Sequence, residues 1–245
     1  MSPVNEILKA QSARLVSRDR LSQDERERMF RLLCEHFAGV TFQQFSCDIA
    51  EKNWVILLER SGRLLGFSTL LAYETCIDLQ PYSVIYSGDT IVSPEAWSSS
   101  TLARAWIESV ARLRAFYPRG PYLWLLITSG FRTYRFLPLF WRDFFPRFHC
   151  DTPAHWKRLT DRLAQERFGE QYDSATGVVR FQNPQLLRGP LAAIPSGRAI
   201  DSHVAFFAAS NPGHLAGDEL VCITELSPEN LTPAGRRMAA AIPRW

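Results

Sequence analysis

The stretch IYSGDTIVSPEAWSSSTLARAW, Ile85–Trp106, decides the reading of the whole chain. It opens as a buried strand, is interrupted by Ser87-Gly88-Asp89, resumes as Thr90-Ile91-Val92 and meets Pro94. Trp97 and three serines then precede a helix. Glycine inside a strand pattern marks a bulge or a place where something approaches the backbone closely. A run of small hydroxyl residues before a helix leaves N–H groups pointing outward, an arrangement suited to an anion. The two devices on one strand–loop–helix unit predict a site.

Outward from this unit the elements follow. The helix carries Leu102, Trp106, Val110 and Leu113 on one stripe, with Arg104, Glu108 and Arg112 at i,i+4 spacing on the other. Pro118, Gly120 and Pro121 end it, and YLWLLIT (122–128) reads as a fully buried strand in parallel pairing. Strand 83–92, helix and strand 122–128 form a right-handed crossover. Upstream, Ser22 and Glu25 make a capping box, Thr41 caps a second helix, and a hairpin turns at Arg60-Ser61-Gly62-Arg63. Downstream, a helix is expected over 132–144 and another from Pro153, followed by a Pro/Gly-rich loop at 182–202. HVAFFAA (203–209) and DELVCITEL (218–226) read as two closing strands, and a short helix follows Thr232-Pro233.

Composition bounds the function. The 245 residues are long enough for a substantial core, and 46% hydrophobic with 22% charged residues describes a globular chain. A formal charge of +3 gives no argument for a nucleic-acid partner. The 5 cysteines are scattered without C-x-x-C spacing, and the histidines show no ligand spacing, so no metal site is expected. No apolar run reaches the length of a membrane span and the first residues lack a signal-type core, so a cytoplasmic location is expected.

The order helix–helix–hairpin–strand–helix–strand–helix and then closing strands resembles the GNAT (N-acetyltransferase) superfamily over roughly 20–145, more loosely 203–226. The resemblance implies an α/β fold: a mixed central sheet with a splayed strand pair, flanking helices and a C-terminal insertion. It divides the chain into an N-terminal extension (1–20) and a single domain (21–245), with 146–202 as the insertion. It implies Ser87-Gly88 as the bulge, with Ile91, Val92 and Ser93 bordering the cleft of a thioester donor. Trp97, Ser98, Ser99, Ser100, Thr101 and Leu102 stand where the family's R/Q-x-x-G-x-G/A phosphate loop runs. Here Trp97, Ser98 and Ser100 replace the usual Arg/Gln and the two glycines, and serine resists the positive φ that glycine permits.

Asp89 after the bulge reads as a general base for an attacking amine, or as a bulge aspartate bonded to nearby amides. By the resemblance Tyr134 protonates the departing thiolate; its other reading is core packing. Arg132 and Arg135 read as anion contacts or as a solvated helix face. The implied activity is transfer of an acyl group from acyl-CoA, or from a pantetheinyl carrier thioester, to a small-molecule amine, with an acyl carrier protein as a possible partner and no metal. The alternatives are a non-catalytic GNAT-fold binding protein, or an unrelated α/β enzyme with its site under the 182–202 loop and His203 or His214 active.

Overall fold

The computed structural model describes residues 11–240. In chain order its strands are β1 Ser12–Ser17, β2 Phe37–Ala38, β3 Trp54–Arg60, β4 Arg63–Ile77, β5 Gln80–Val92, β6 Tyr122–Thr128, β7 Phe144–Phe145, β8 Tyr172–Asp173, β9 Val178–Val179, β10 Leu186–Leu187 and β11 Glu219–Glu225. The helices are α1 Gln23–His36, α2 Phe42–Ala50, α3 Thr101–Leu113, α4 Phe131–Tyr134, α5 Phe136–Phe140, α6 Ala154–Phe168, α7 Ser196–Ala199, α8 Ser202–Ser210 and α9 Pro233–Ala239. One 9-stranded sheet runs β1-β3-β4-β5-β6-β11-β9-β8, with β7 also paired to β11.

Helices cover both faces of this sheet. On one face Leu102, Trp106, Ile107 and Val110 of α3 pack with Ile56 of β3, Ile85 of β5 and Trp124 of β6, joined by α4, α5 and α8. On the other, Met29 and Leu33 of α1 and Phe45 of α2 cover Leu57 of β3 and Phe67 of β4. Leu159 and Leu163 of α6 cover Val84 of β5, Leu125 of β6 and Val221 of β11 on that same side. The capping box at Ser22 and Glu25 and the Thr41 cap form as the sequence implies.

The centre of the sheet is where the pattern breaks. β5 and β6 pair in parallel from Ser83↔Tyr122 to Ser87↔Leu126 and no further. Against β4, Ser87 faces Leu70 and Thr90 faces Ser68, so Gly88 and Asp89 together oppose Thr69. This is a bulge, and it changes the alternation of the strand. Before it, Val84 and Tyr86 face the α6 side; after it, Ile91 faces the α1–α2 side of that same surface. A Cβ at 88 would fall 2.8 Å from the Tyr86 hydroxyl, so any larger residue there would have to displace the end of that ring. The mixed sheet with a splayed central pair, flanking helices and a long C-terminal insertion is the GNAT-like architecture.

Three sequence readings differ from the structure. Ser12–Ser17, placed in an N-terminal extension, is an edge strand paired with β3 from Ser12↔Glu59 to Ser17↔Trp54. The helix expected over 132–144 is two short helices, α4 and α5, with Arg135 between them. HVAFFAA is helix α8 and not a closing strand, so only β11 closes the sheet beside β6. Asp201 decides the last case: its carboxylate accepts from the amides of His203 and Val204, an N-cap that commits the following apolar run to a helix.

The crossover entering β6 depends on Gly120, which has φ +58 and whose Cβ would fall 1.9 Å from the Pro81 carbonyl oxygen. Gly120→Ala should therefore destabilise the chain by ~1–3 kcal/mol from the left-handed backbone alone, with the contact adding to it. Urea denaturation of both proteins checks this, and equal midpoints would contradict it.

Candidate functional site

Where β5 and β6 part, the sheet opens, and a cavity lies on each side of the opening. The first, about 450 Å³, sits between α3 and α4. Thr90, Ile91 and Val92 of β5, Leu102 and Trp106 of α3, and Phe131 and Phe136 of α4 and α5 give it mostly apolar walls. Trp106 and Trp124 stack at its floor with centroids 4.2 Å apart. The second, about 400 Å³, opens on the α1–α2 and α6 side and is polar. Asp48, Lys52, Gly88, Asp89, Arg167 and Glu219 stand in its wall. Phe37, Thr90, Gly130, Thr133 and Leu187 belong to both cavities, so the two meet at the divergence.

The polar cavity concentrates carboxylates. Asp48 Oδ1 accepts from Gln44 at 2.8 Å, and Asp89 Oδ2 accepts from the Thr69 hydroxyl at 3.2 Å. Burial, reinforced by the charges of Asp89 and Asp48, raises the Glu219 carboxyl to about 8. Asp48 is raised as well, by burial and then by Asp89. Lys52 is the compensating charge: only 5% exposed, its ammonium donates to the Asp48 carbonyl at 3.2 Å and lies 5.3 Å from the Tyr86 ring centroid. Arg167 covers the same ring at 3.9 Å and is held by Glu51 at 2.7 Å. A carboxyl poised near neutrality beside a cleft is the pattern of an acid–base group.

The residues singled out from the sequence separate. Gly88 and Asp89 line the polar cavity; Ile91, Val92 and Ser99 line the apolar one. Ser93 is buried at 4% exposure, its amide bonded to the Leu65 carbonyl. Ser98, Ser100 and Thr101 lie outside the apolar cavity's wall, which takes only Ala96, Trp97 and Ser99 from this turn. Two of the expected amides are used locally: that of Ser99 donates to the Ala96 carbonyl at 3.0 Å, and that of Thr101 to Ser99 Oγ at 3.1 Å.

Tyr134 is corrected to core packing. Its side chain is fully buried among Phe144, Phe206 and Phe207, and its hydroxyl donates to the Pro146 carbonyl at 3.1 Å. Burial pushes its phenol well above the usual range, and it stands in neither cavity. The reason is the short α4: after a single turn its register places Thr133, not Tyr134, toward the opening. His203 stacks on Phe144 and Phe148, and His214 Nδ1 meets the Asn211 carbonyl, both away from the two cavities. Glu219, Asp48 and Lys52 were missed as site residues. The available signal was the Asp218-Glu219 pair at the start of β11, the strand beside β6.

Neither a protein-family profile nor a curated protein matches the chain. Solved structures with low-scoring similarity include an acyl-CoA N-acyltransferase from Pseudomonas aeruginosa, at 15% identity over 47% of this chain and 79% of that one, TM-score 0.36. Escherichia coli ElaA is 15% identical over 59% of this chain and 95% of its own, TM-score 0.38. Glucosamine-6-phosphate N-acetyltransferase from Arabidopsis thaliana is 11% identical over 48% and 81%, TM-score 0.34. Scores this low add no weight beyond the topology and the cleft already described. Among the described residues no helix is long and apolar enough to cross a membrane, and no group of three potential ligands is placed to hold a metal.

The raised Glu219 carboxyl has a consequence for stability. In the unfolded chain it ionises near the ordinary glutamate value, about 4.3; folded, it holds its proton up to about 8. Its stabilising contribution is complete below the unfolded value and is lost as pH rises through about 8. Glu219→Gln removes that loss, so the melting temperature of the variant relative to the parent should climb between about pH 5 and pH 9. A constant difference across that range would mean an ordinary, solvated carboxylate.

Proposed function

We propose that this chain is an acyltransferase that moves an acyl group from acyl-CoA, or from a pantetheinyl carrier thioester, to an amine on a small molecule. The observation that carries the reading is the meeting of the two cavities at the Gly88 bulge, apolar toward α3 and α4, acidic toward α1 and α6. A thioester arm entering from the apolar side would bring its carbonyl to the divergence, where an amine held on the acidic side can reach it. Past Ser87, β5 keeps its β4 partner but has none in β6, so those N–H groups of 88–92 that point away from β4 are available to the carbonyl oxygen as negative charge develops on it.

In this reading the neutral amine attacks the thioester carbon and a C–N bond forms. Glu219 takes the proton released from nitrogen, the C–S bond breaks, and the thiolate is protonated from the water of the cavity. Asp89 and Asp48 attract the acceptor as a cation, which gives up one proton to the water of the cavity before attack; burial and then the charges of these two carboxylates keep Glu219 basic enough to take the next. Lys52 limits the repulsion and holds Asp48's end of α2 in place. The same carboxylates favour a cationic acceptor over an anionic one.

The test is acyl transfer from acetyl-CoA and longer acyl-CoAs to a panel of amines, with Glu219→Gln beside the parent. Turnover should fall about 10²–10⁴-fold in the variant, the usual weight of a general base, with donor binding kept. In the parent, kcat/KM should rise with pH through a midpoint near 8, where Glu219 is half ionised, and level off above it, and the variant should lose that limb. A variant with parental turnover and an unchanged profile would remove Glu219 from the mechanism. Tyr134→Phe should keep full turnover and lose ~0.5–1.5 kcal/mol of stability with the Pro146 bond; a folded Tyr134→Phe protein that binds donor and fails to transfer would restore the tyrosine as the acid.

A further inference from the structure

A thioester donor of the proposed kind carries phosphate on its pantetheine arm, and the turn at 97–101 has consumed the amides of Ser99 and Thr101 on its own atoms. The apolar cavity nevertheless holds three guanidinium groups, those of Arg132, Arg135 and Arg198. They differ in what holds them. Arg135 is paired with Asp201 at 3.3 Å. Arg132 and Arg198 have no carboxylate within ion-pair distance among the described residues.

Arg132 is fixed by groups that leave its charge uncompensated. Its guanidinium lies 4.3 Å from the Trp97 ring centroid and 4.6 Å from that of Phe131, and Nη1 donates to the Leu191 carbonyl at 3.2 Å. Trp97 is itself anchored, with Nε1 donating to the Val92 carbonyl at 2.8 Å. A guanidinium stacked on an indole presents its N–H edge outward in a set plane, a geometry that matches two phosphate oxygens. Arg198, in α7 of the insertion, stands close enough that its charge, after burial, lowers the Arg132 pKa. Two like charges facing one cavity with no acid between them repel, and an anion relieves that repulsion.

We propose that the phosphate of the donor is held by the side chains of Arg132 and Arg198, on α4 and the insertion, and not by the backbone amides of the turn that opens α3. This rests on the acyl-pantetheine reading above and assigns the insertion a part in donor binding. The ligand chemistry is a phosphate ester of pantetheine, present in CoA and in a carrier-bound arm alike.

Calorimetric titration of the full chain with CoA, 4′-phosphopantetheine and pantetheine tests it. The parent should bind CoA more tightly than pantetheine, with the gap narrowing as salt is added. Arg132→Gln combined with Arg198→Gln should weaken CoA by about 10–100-fold per guanidinium, the worth of a charge-assisted contact, and leave pantetheine binding as it was. Arg104→Ala, on the outer face of α3, should change neither. Equal losses for CoA and 4′-phosphopantetheine place the contacts on the phosphate next to pantetheine and support the proposal; a loss for CoA alone would place them on phosphates that a carrier-bound arm lacks and would overturn it. Parental CoA affinity in the double variant overturns it. So does a parent that binds pantetheine and CoA equally, which would leave the donor reading standing. A parent that binds none of the three removes the donor reading and this inference with it. Arg198 is exposed, so the single Arg198→Gln variant keeps the fold and carries the test even if Arg132→Gln melts early.

Discussion

Parallel pairing holds β5 against β6 from Ser83 to Ser87, and then it stops. Everything that can act as a site depends on that stop. A parallel pair in the middle of a sheet would ordinarily continue, because unpaired backbone groups in a core are costly. Here the bulge at Gly88-Asp89 rotates β5 out of register with β6 while β4 keeps its pairing on the other side. The unsatisfied edges line two cavities instead of an apolar core, and water or a ligand can reach them. Tyr86 packs against the bulge: its hydroxyl stands 2.8 Å from where a Cβ at 88 would lie, so a glycine there leaves room for both.

How much of this was legible before the structure follows from the range of each interaction. The bulge and the crossover were readable because their signals are local, a glycine in a strand, a striped helix, a continuous apolar run, whereas the splayed pair was expected from the resemblance alone. Helix α8 was not, since HVAFFAA alternates as well as it coils and only the Asp201 side chain tips the choice. Tyr134 failed for a related reason. Register in a helix of one turn is set by tertiary contacts, here with Phe144, Phe206 and Phe207, and not by spacing along the chain. Glu219 was hidden differently. An acid at the start of a strand is unremarkable in sequence, and its pKa is raised by burial in the folded sheet and then by Asp89 and Asp48, which β5 and α2 bring to it from distant parts of the chain.

The two cavities also divide the charge of the molecule in a way composition conceals. A net charge of +3 spread over 245 residues says little. Locally, the α3 side of the opening is lined by three arginines, of which only Arg135 is paired with a carboxylate, and the α6 side carries acids in excess of bases. An opening with opposite charge at its two mouths favours an anion entering from one side and a cation from the other. For a reaction joining a phosphate-bearing donor to an amine, that polarity orients both partners before any contact specific to either is made.

The insertion, finally, is not peripheral to this arrangement. Its strand β10 pairs with β2, Leu186↔Ala38 and Leu187↔Phe37, directly over the place where the cavities join. Arg188 adds two bonds to the same short strand and its approach, its amide to the His36 carbonyl and Nε to the Phe37 carbonyl, both at 2.8 Å. Further along, Leu191, Pro195 and Arg198 wall the apolar cavity, while Gln182, Asn183 and Gln185 wall the polar one. One continuous segment therefore lines both cavities and covers their junction. In the proposed reaction such a cover would exclude bulk water from the reacting carbonyl and strengthen the field of Glu219 and of the free β5 amides on it. If the donor's phosphate is held as proposed, its counter-charge comes from Arg132 on α4 and Arg198 on this segment, and the turn that opens α3 can spend the Ser99 and Thr101 amides on its own atoms.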